Sequence, residues 1–159
     1  MQIYVVAVGK VRERYLREGM EDYVRRLRQY VTLRILEVPE EKAAIGIRPV
    51  EEEKVREKEG LAIEKVIPEG AVVIALHPTG EIWSSEDLAR HLKEWEISGP
   101  HMVVFLLGGE LGLSKAIRSA SDHSLSLSPM TFPHQLARLI LLEQIYRAYR
   151  ILRGEPYHR

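Results

Sequence analysis

The stretch MVVFLLGGELGLS, Met102 to Ser114, decides how the chain is read. Its first six residues are apolar without interruption, too few for an independent helix and too uniform for a strand with one wet face. A run of this kind fits a strand covered on both sides, as in parallel sheets. The glycines at 108, 109 and 112 then allow a tight turn, in which main-chain amides can approach a ligand with no Cβ in the way. A short helix follows near Ser114 to Ala120.

Working outward, VVIAL (Val72 to Leu76) is a second buried strand, with HPTG (His77 to Gly80) as its turn, and Ser84 or Ser85 caps a helix running to about Glu96. IYVVAVG (Ile3 to Gly9) reads as the first strand, and Tyr15, Met20, Tyr23, Val24 and Leu27 then share a helical stripe. VTLRILEV (Val31 to Val38) is another strand, and Pro39 to Arg48 is the one long loop. A helix from about Pro49 to Val66 opens on proline and carries Glu51, Glu52 and Glu53, where the helix dipole favours anions. SLSLS (Ser124 to Ser128) is the last strand, and the last helix spans roughly Gln135 to Arg153. Strands separated by helices imply parallel crossovers and a three-layer α/β/α domain around a mostly parallel sheet. At 159 residues and 45% hydrophobic content, one domain over 1–159 is expected.

Charge and cysteine content remove several classes. Lys plus Arg equals Asp plus Glu, 23 each, but Leu111 to Arg159 holds seven bases against three acids, so a basic face is expected there. The absence of cysteine excludes a disulfide scaffold, a thiolate nucleophile and a thiolate-bound cluster. The six histidines form no HExxH pattern or tight pair, so no metal is expected. The opening MQIYVVAVGK has neither a basic leader nor a membrane-length apolar run, so a cytoplasmic protein without membrane attachment is expected. Abundant Glu, Lys and Arg with no asparagine suit a heat-adapted source.

Ligands of open α/β sheets bind beyond the carboxyl ends of strands, and three ends here are unusual. GGELGLS is neither GxxxxGK[ST] nor GxGxxG, which argues against a nucleotide kinase, a GTPase or a common nicotinamide enzyme. HPTG after Leu76 suits a plain turn or a site equally. Ser124, Ser126 and Ser128 line one face of a strand that should be buried, so their hydroxyls need partners in local backbone or in a polar ligand, and a ligand is favoured. PMTFPH (Pro129 to His134) follows, stiffened by two prolines. The final helix has Leu136, Leu139, Ile140, Ile145, Tyr146, Tyr149 and Leu152 near one stripe, with Leu141, Leu142 and Ile151 widening it. That surplus suggests a second apolar contact, most simply in a two-fold homodimer. The chain ends GEPYHR: Gly154 and Pro156 stop the helix, and Tyr157, His158 and Arg159 then set a ring, a titratable imidazole and a cation side by side.

LLGGELGLS, SLSLSPMTFPHQLARLILLEQIYRA and RGEPYHR together resemble the ribosomal RNA large-subunit methyltransferase H family of the SPOUT class, and VAVGK and the length match as well. The resemblance covers essentially the whole chain. FPHQ followed by EQxYRA and a PYHR end is its most specific part; nothing is carried over to Glu110 and Leu111. It implies a deep trefoil knot at the C-terminal side of the sheet, a homodimer, S-adenosyl-L-methionine as methyl donor, and methylation of N3 of a pseudouridine in large-subunit rRNA of the assembled ribosome. Carried over by position, donor contacts fall on Leu76, on Gly108, and on Leu127, Ser128, Pro129, Met130, Thr131 and Phe132. The tail is then expected to complete the partner's site, with Tyr157 stacking, His158 accepting a proton or hydrogen bond, and Arg159 holding phosphate or an anionic base. Two other readings stay open: a SPOUT enzyme acting on another RNA such as tRNA, and a ribosome-binding factor without catalysis.

Overall fold

The computed structural model describes residues 1–42 and 46–157. Strands and helices alternate: β1 (Gln2–Val8), α1 (Arg14–Leu27), β2 (Thr32–Val38), α2 (Pro49–Glu64), β3 (Val72–Ile82), α3 (Ser85–Ser98), β4 (Met102–Leu107), α4 (Lys115–Ala120), β5 (His123–Ser126) and α5 (His134–Leu152). The sheet has the order β2-β1-β4-β3-β5, and every pairing is parallel. The unbroken apolar run of β4 follows from its place beside β1 and β3 in the middle of that sheet.

Strand side chains alternate between two faces, and both faces are dry. Val103, Phe105 and Leu107 of β4 join Ile3, Val5 and Ala7 of β1 in a core shared with residues of α1, α3 and α5. Val104 and Leu106 join Val6, Val8 and Ala75 with Ile63 of α2 and Ile117 of α4 on the other side. Each of the valines, leucines, isoleucines and Phe105 among them, fully buried, is worth about 1.5–3 kcal/mol of transfer free energy.

Local chemistry sets the helix ends. Ser84 accepts the Asp87 amide at 3.0 Å while the Asp87 carboxylate accepts the Ser84 amide at 2.9 Å, a reciprocal cap that starts α3. Those bonds to Ser84, with the Arg90 guanidinium adding to them, hold the Asp87 carboxyl at about 2. Pro49 opens α2, with Glu51 and Glu52 in its first turn. Among the described residues no helix is long and apolar enough to cross a membrane.

Several sequence expectations change. Tyr15 is 68% exposed; Leu16 takes the inward position, with Met20 and Leu27. HPTG does not end β3, which continues to Ile82, and both Leu76 and Glu81 pair with Leu125 across a register shift. Gly80 makes that possible, since a Cβ there would lie 2.7 Å from the backbone carbonyl of Ser124. β5 ends at Ser126, and Leu127 and Ser128 leave the sheet. Leu141 and Leu142 are wholly buried within the chain. α5 needs its wide apolar surface because it packs against both α1 and α3 as well as the sheet. At Gly19 of α1 an added Cβ would come within 3.2 Å of Leu139, so the missing side chain admits the helix closely.

Candidate active site

The carboxyl ends of β3, β4 and β5 and the start of α5 surround one crevice. Leu76, His77 and Pro78 line it from β3, Leu107 to Gly109 and Gly112 from β4 and its turn, and Leu125 to Ser128 from β5. Met130, Thr131, Phe132, His134 and Ala137 complete the wall. Of the residues singled out in the sequence, Leu76, Gly108, Leu127, Ser128, Met130, Thr131 and Phe132 thus come together. Pro129 lies between two lining residues without lining the crevice itself. Met130 is 76% exposed and Phe132 36%, so the mouth presents apolar surface to solvent.

The glycine turn is held by its own backbone. The Gly112 amide donates to the Gly109 carbonyl at 3.0 Å, and Gly112 takes φ +81°. A Cβ on Gly108 would meet the Gly112 carbonyl carbon at 2.3 Å, closer than any side chain tolerates. Gly109 is hemmed in from behind: a Cβ there would lie 3.1 Å from Val8 and 3.5 Å from a Glu59 carboxylate oxygen. Glu59 is 4% exposed and accepts the Glu41 amide at 3.0 Å. Burial, with Glu40 and Glu41 nearby, raises its carboxyl above the usual range.

Two of the three serine hydroxyls, those of Ser126 and Ser128, have local backbone partners, one of the two alternatives the sequence leaves open. Ser126 donates to the Ser128 carbonyl at 2.9 Å, and the Ser128 hydroxyl accepts the Met130 amide at 3.0 Å. These bonds shape the bend that turns PMTFPH toward the crevice.

A wider cleft adjoins the crevice and shares His77, Pro78, Gly112, Phe132 and His134 with it, adding Arg56, Lys115 and Arg118. Burial and the Arg118 charge keep His77 below the ordinary histidine value, favouring its neutral form. The expected C-terminal basic face is smaller than its count. Arg138, Arg147 and Arg150 are bound to Glu37, Glu143 and Glu155, Arg153 sits over the Tyr30 ring, and Arg159 lies outside the described residues.

Tyr157 is placed far from the crevice. The crevice borders the first turn of α5, whereas Tyr157 follows its last, and 19 helical residues span about 28 Å. Its ring meets Tyr146 edge-on at 5.0 Å, and the Arg147 guanidinium lies 4.8 Å from its centroid. Burial, a hydrogen bond with Tyr23 and the Glu143 charge push its hydroxyl up to about 12, so it holds its proton at neutral pH. Glu155 accepts bonds from the Tyr30 hydroxyl at 2.9 Å and from Arg150, fixing the segment just before. His158 and Arg159 lie outside the described residues.

Sequence reasoning missed Ala137 and Arg138. Ala137 has no motif to mark it. Arg138 is 1% exposed, bonded to Glu37 at 2.6 Å and to the Gly9 carbonyl at 3.1 Å. Only the position of a cation amid the apolar residues of α5 hinted at such a pairing.

The fold and site are thus a parallel sheet with a glycine-rich turn at its carboxyl end and a crevice beside a C-terminal helix, and sequence comparison supplies the class. The family model described as "Predicted SPOUT methyltransferase" matches residues 1–158. The chain is 48% identical over 159 residues to ribosomal RNA large subunit methyltransferase H of Acetivibrio thermocellus, covering all of both chains. It is 46% identical to the protein of the same name from Listeria monocytogenes, again over the full length of both. It therefore belongs to the SPOUT methyltransferases, within the ribosomal RNA large subunit methyltransferase H family. Among solved structures, a probable methylase family protein from Haemophilus influenzae shares the fold, with TM-score 0.59 and 8% identity over 99% of this chain and 70% of that one.

Proposed function

We propose that the protein methylates N3 of a pseudouridine in large-subunit rRNA of the assembled ribosome, using S-adenosyl-L-methionine, as a homodimer in the cytoplasm. The observation that carries this reading is the convergence of three strand ends on one crevice. Leucines 76, 107, 125 and 127 offer an apolar wall, and the Gly108–Gly112 turn brings main-chain groups close. That combination suits a nucleoside with a polar tail. The deep trefoil knot implied by the resemblance belongs to the same reading.

When bound, the donor supplies a methyl group on a sulfonium sulfur, already electrophilic, so the chain must align rather than activate it. The N3–C bond forms as the S–C bond breaks, leaving a thioether, and the N3 proton must go to an acceptor. We assign that acceptor to His158 and stabilisation of the developing imide anion to Arg159. Tyr157 shifts from the expected stacking role to an anchor, supported by its proton-retaining hydroxyl and its packing on Tyr146. With about 28 Å of helix between a chain's tail and its own crevice, the reading requires the tail of a second copy. The apolar mouth at Met130 and Phe132 is a natural seat for it.

The test is methyl transfer from labelled donor to ribosomes lacking the modification, with free subunits and tRNA in parallel and the labelled nucleotide mapped. Label on a large-subunit pseudouridine in intact ribosomes is expected. Label on tRNA would move the activity to another RNA, and donor binding without transfer to any of the three would refute catalysis on these substrates.

A further inference from the structure

A second concavity borders the first turns of α5, as the crevice does. It is lined from α1 and β2 by Val24 and Ile35 together with Lys10, Arg17, Arg25 and Arg28. Two carboxylates face it. Glu37 is held by Arg138, and Glu21 is the other. Arg25 is shared with Asp22 at 3.4 Å. Lys10, Arg17 and Arg28 are exposed and form no ion pair with any described residue. A cluster of unpaired cations therefore also lies here, on the N-terminal half, in addition to Lys115 and Arg118 beside the crevice, within the segment 111–159 where the excess was counted.

Groove and crevice are neighbours. Ala137 lines the crevice and Arg138 the groove, so consecutive residues of α5 form the partition. The Arg12 amide donates to the Gln135 side chain at 2.9 Å, tying the start of α1 to the residue after His134 at the crevice edge. A polyanion lying along α1 past Lys10 arrives beside the first turn of α5.

We propose that this groove seats the phosphodiester backbone of the RNA substrate and leads the strand to the donor crevice. The proposal rests on the function above for the identity of the polymer. Unpaired cations on a concave track supply affinity without reading sequence, leaving choice of nucleotide to the crevice.

The test compares wild-type protein with a Lys10→Glu/Arg17→Glu/Arg28→Glu variant and a control, Lys54→Glu/Lys65→Glu/Lys93→Glu, which reverses three exposed cations elsewhere. Binding to intact ribosomes and to a protein-free large-subunit rRNA fragment is measured across salt concentrations, with calorimetry of S-adenosyl-L-methionine as a check on folding. The groove variant should bind RNA at least about tenfold more weakly, its log–log salt slope falling by about two to three, with donor affinity unchanged and the control within about twofold of wild type. Wild-type RNA affinity and slope in the groove variant, or an equal loss in the control, would overturn the proposal. Normal binding to naked RNA with weakened binding to ribosomes would overturn it too, assigning the groove to a ribosomal protein. If the wild type binds RNA through the groove but transfers no methyl group, the groove stands and the proposed activity falls.

Discussion

At its N-terminus α5 starts from Pro133, which offers no side-chain cap, beside a crevice that exposes Met130 and Phe132 and rests on a tight glycine turn; at its C-terminus aromatic rings and ion pairs pack on one another. There Tyr30 stacks on Tyr149 at 5.8 Å, Tyr157 meets Tyr146, and Glu155 gathers Tyr30 and Arg150. The receiving end carries features that cost stability, namely a buried carboxylate and apolar surface in water. The holding end carries contacts that return it. A site must keep room for a ligand, whereas a tail that acts at a distance must be launched from a fixed point.

The largest test of that contrast is removal of Tyr157 to Arg159. If the tail acts on a partner's crevice, truncation after Pro156 should lower methyl transfer about 1,000-fold, with donor affinity in calorimetry within about twofold. Full activity in the truncated protein would make the holding end a packing device only. Mixing truncated chains with Gly108→Ala chains should restore part of the activity, because one mixed pair has an intact crevice facing an intact tail.

Gly108→Ala attacks the receiving end directly. With the new Cβ 2.3 Å from the Gly112 backbone, the turn must move, and a loss of about 3 kcal/mol in urea unfolding is expected, together with donor affinity reduced more than tenfold. Gly112→Ala is the contrasting change, since its Cβ would meet nothing within 4 Å and only its φ of +81° is unfavourable. It should cost about 1–2 kcal/mol. Equal effects at the two positions would mean that close approach at Gly108 is not what shapes the crevice.

Arg138→Met removes the cation under the start of α5. The carbonyls of Val8 and Gly9 lose a donor, while Glu37, partly exposed, can take up water. A loss of about 2 kcal/mol is expected. Adding Glu37→Gln should then cost little more, because the two changes share one interaction. Additive losses would show that Arg138 acts through the β1 carbonyls rather than through Glu37.

How much of this was legible in the sequence depends on the range over which each feature is decided. The β4 run and the helix stripes are local patterns forced by burial, and their bounds were read to within two residues or so. Residues 77–80 were misread because His-Pro-Thr-Gly has turn chemistry, whereas the continuation of β3 depends on Gly80 touching Ser124, a tertiary contact. The same holds for charge. The pairing of Glu143 with Arg147 follows from helical spacing, but that of Arg138 with Glu37, 101 positions away, does not. The crevice residues were visible as oddities at strand ends, and Ala137 was invisible because a small residue on a helix has many uses.

The smallest expected effect has the opposite sign. Glu59, 4% exposed behind Gly109, has its carboxyl raised by burial and by the neighbouring Glu40 and Glu41, so the folded protein holds the proton more tightly than the unfolded chain. A raised folded value means that stability from the protonated form is fully present below the unfolded value, about 4.3, and is lost as pH rises through the folded value. At pH 8 the wild type therefore bears the cost of a buried charge. Glu59→Gln keeps an acceptor for the Glu41 amide and removes that charge, so it should stabilise the protein by about 1 kcal/mol at pH 8 and by almost nothing near pH 4. Thermal melts of both proteins across this range check it. A Gln variant that is less stable at pH 8 would mean that the carboxylate has a partner worth more than its burial costs, and the receiving end would then be less burdened than its geometry indicates.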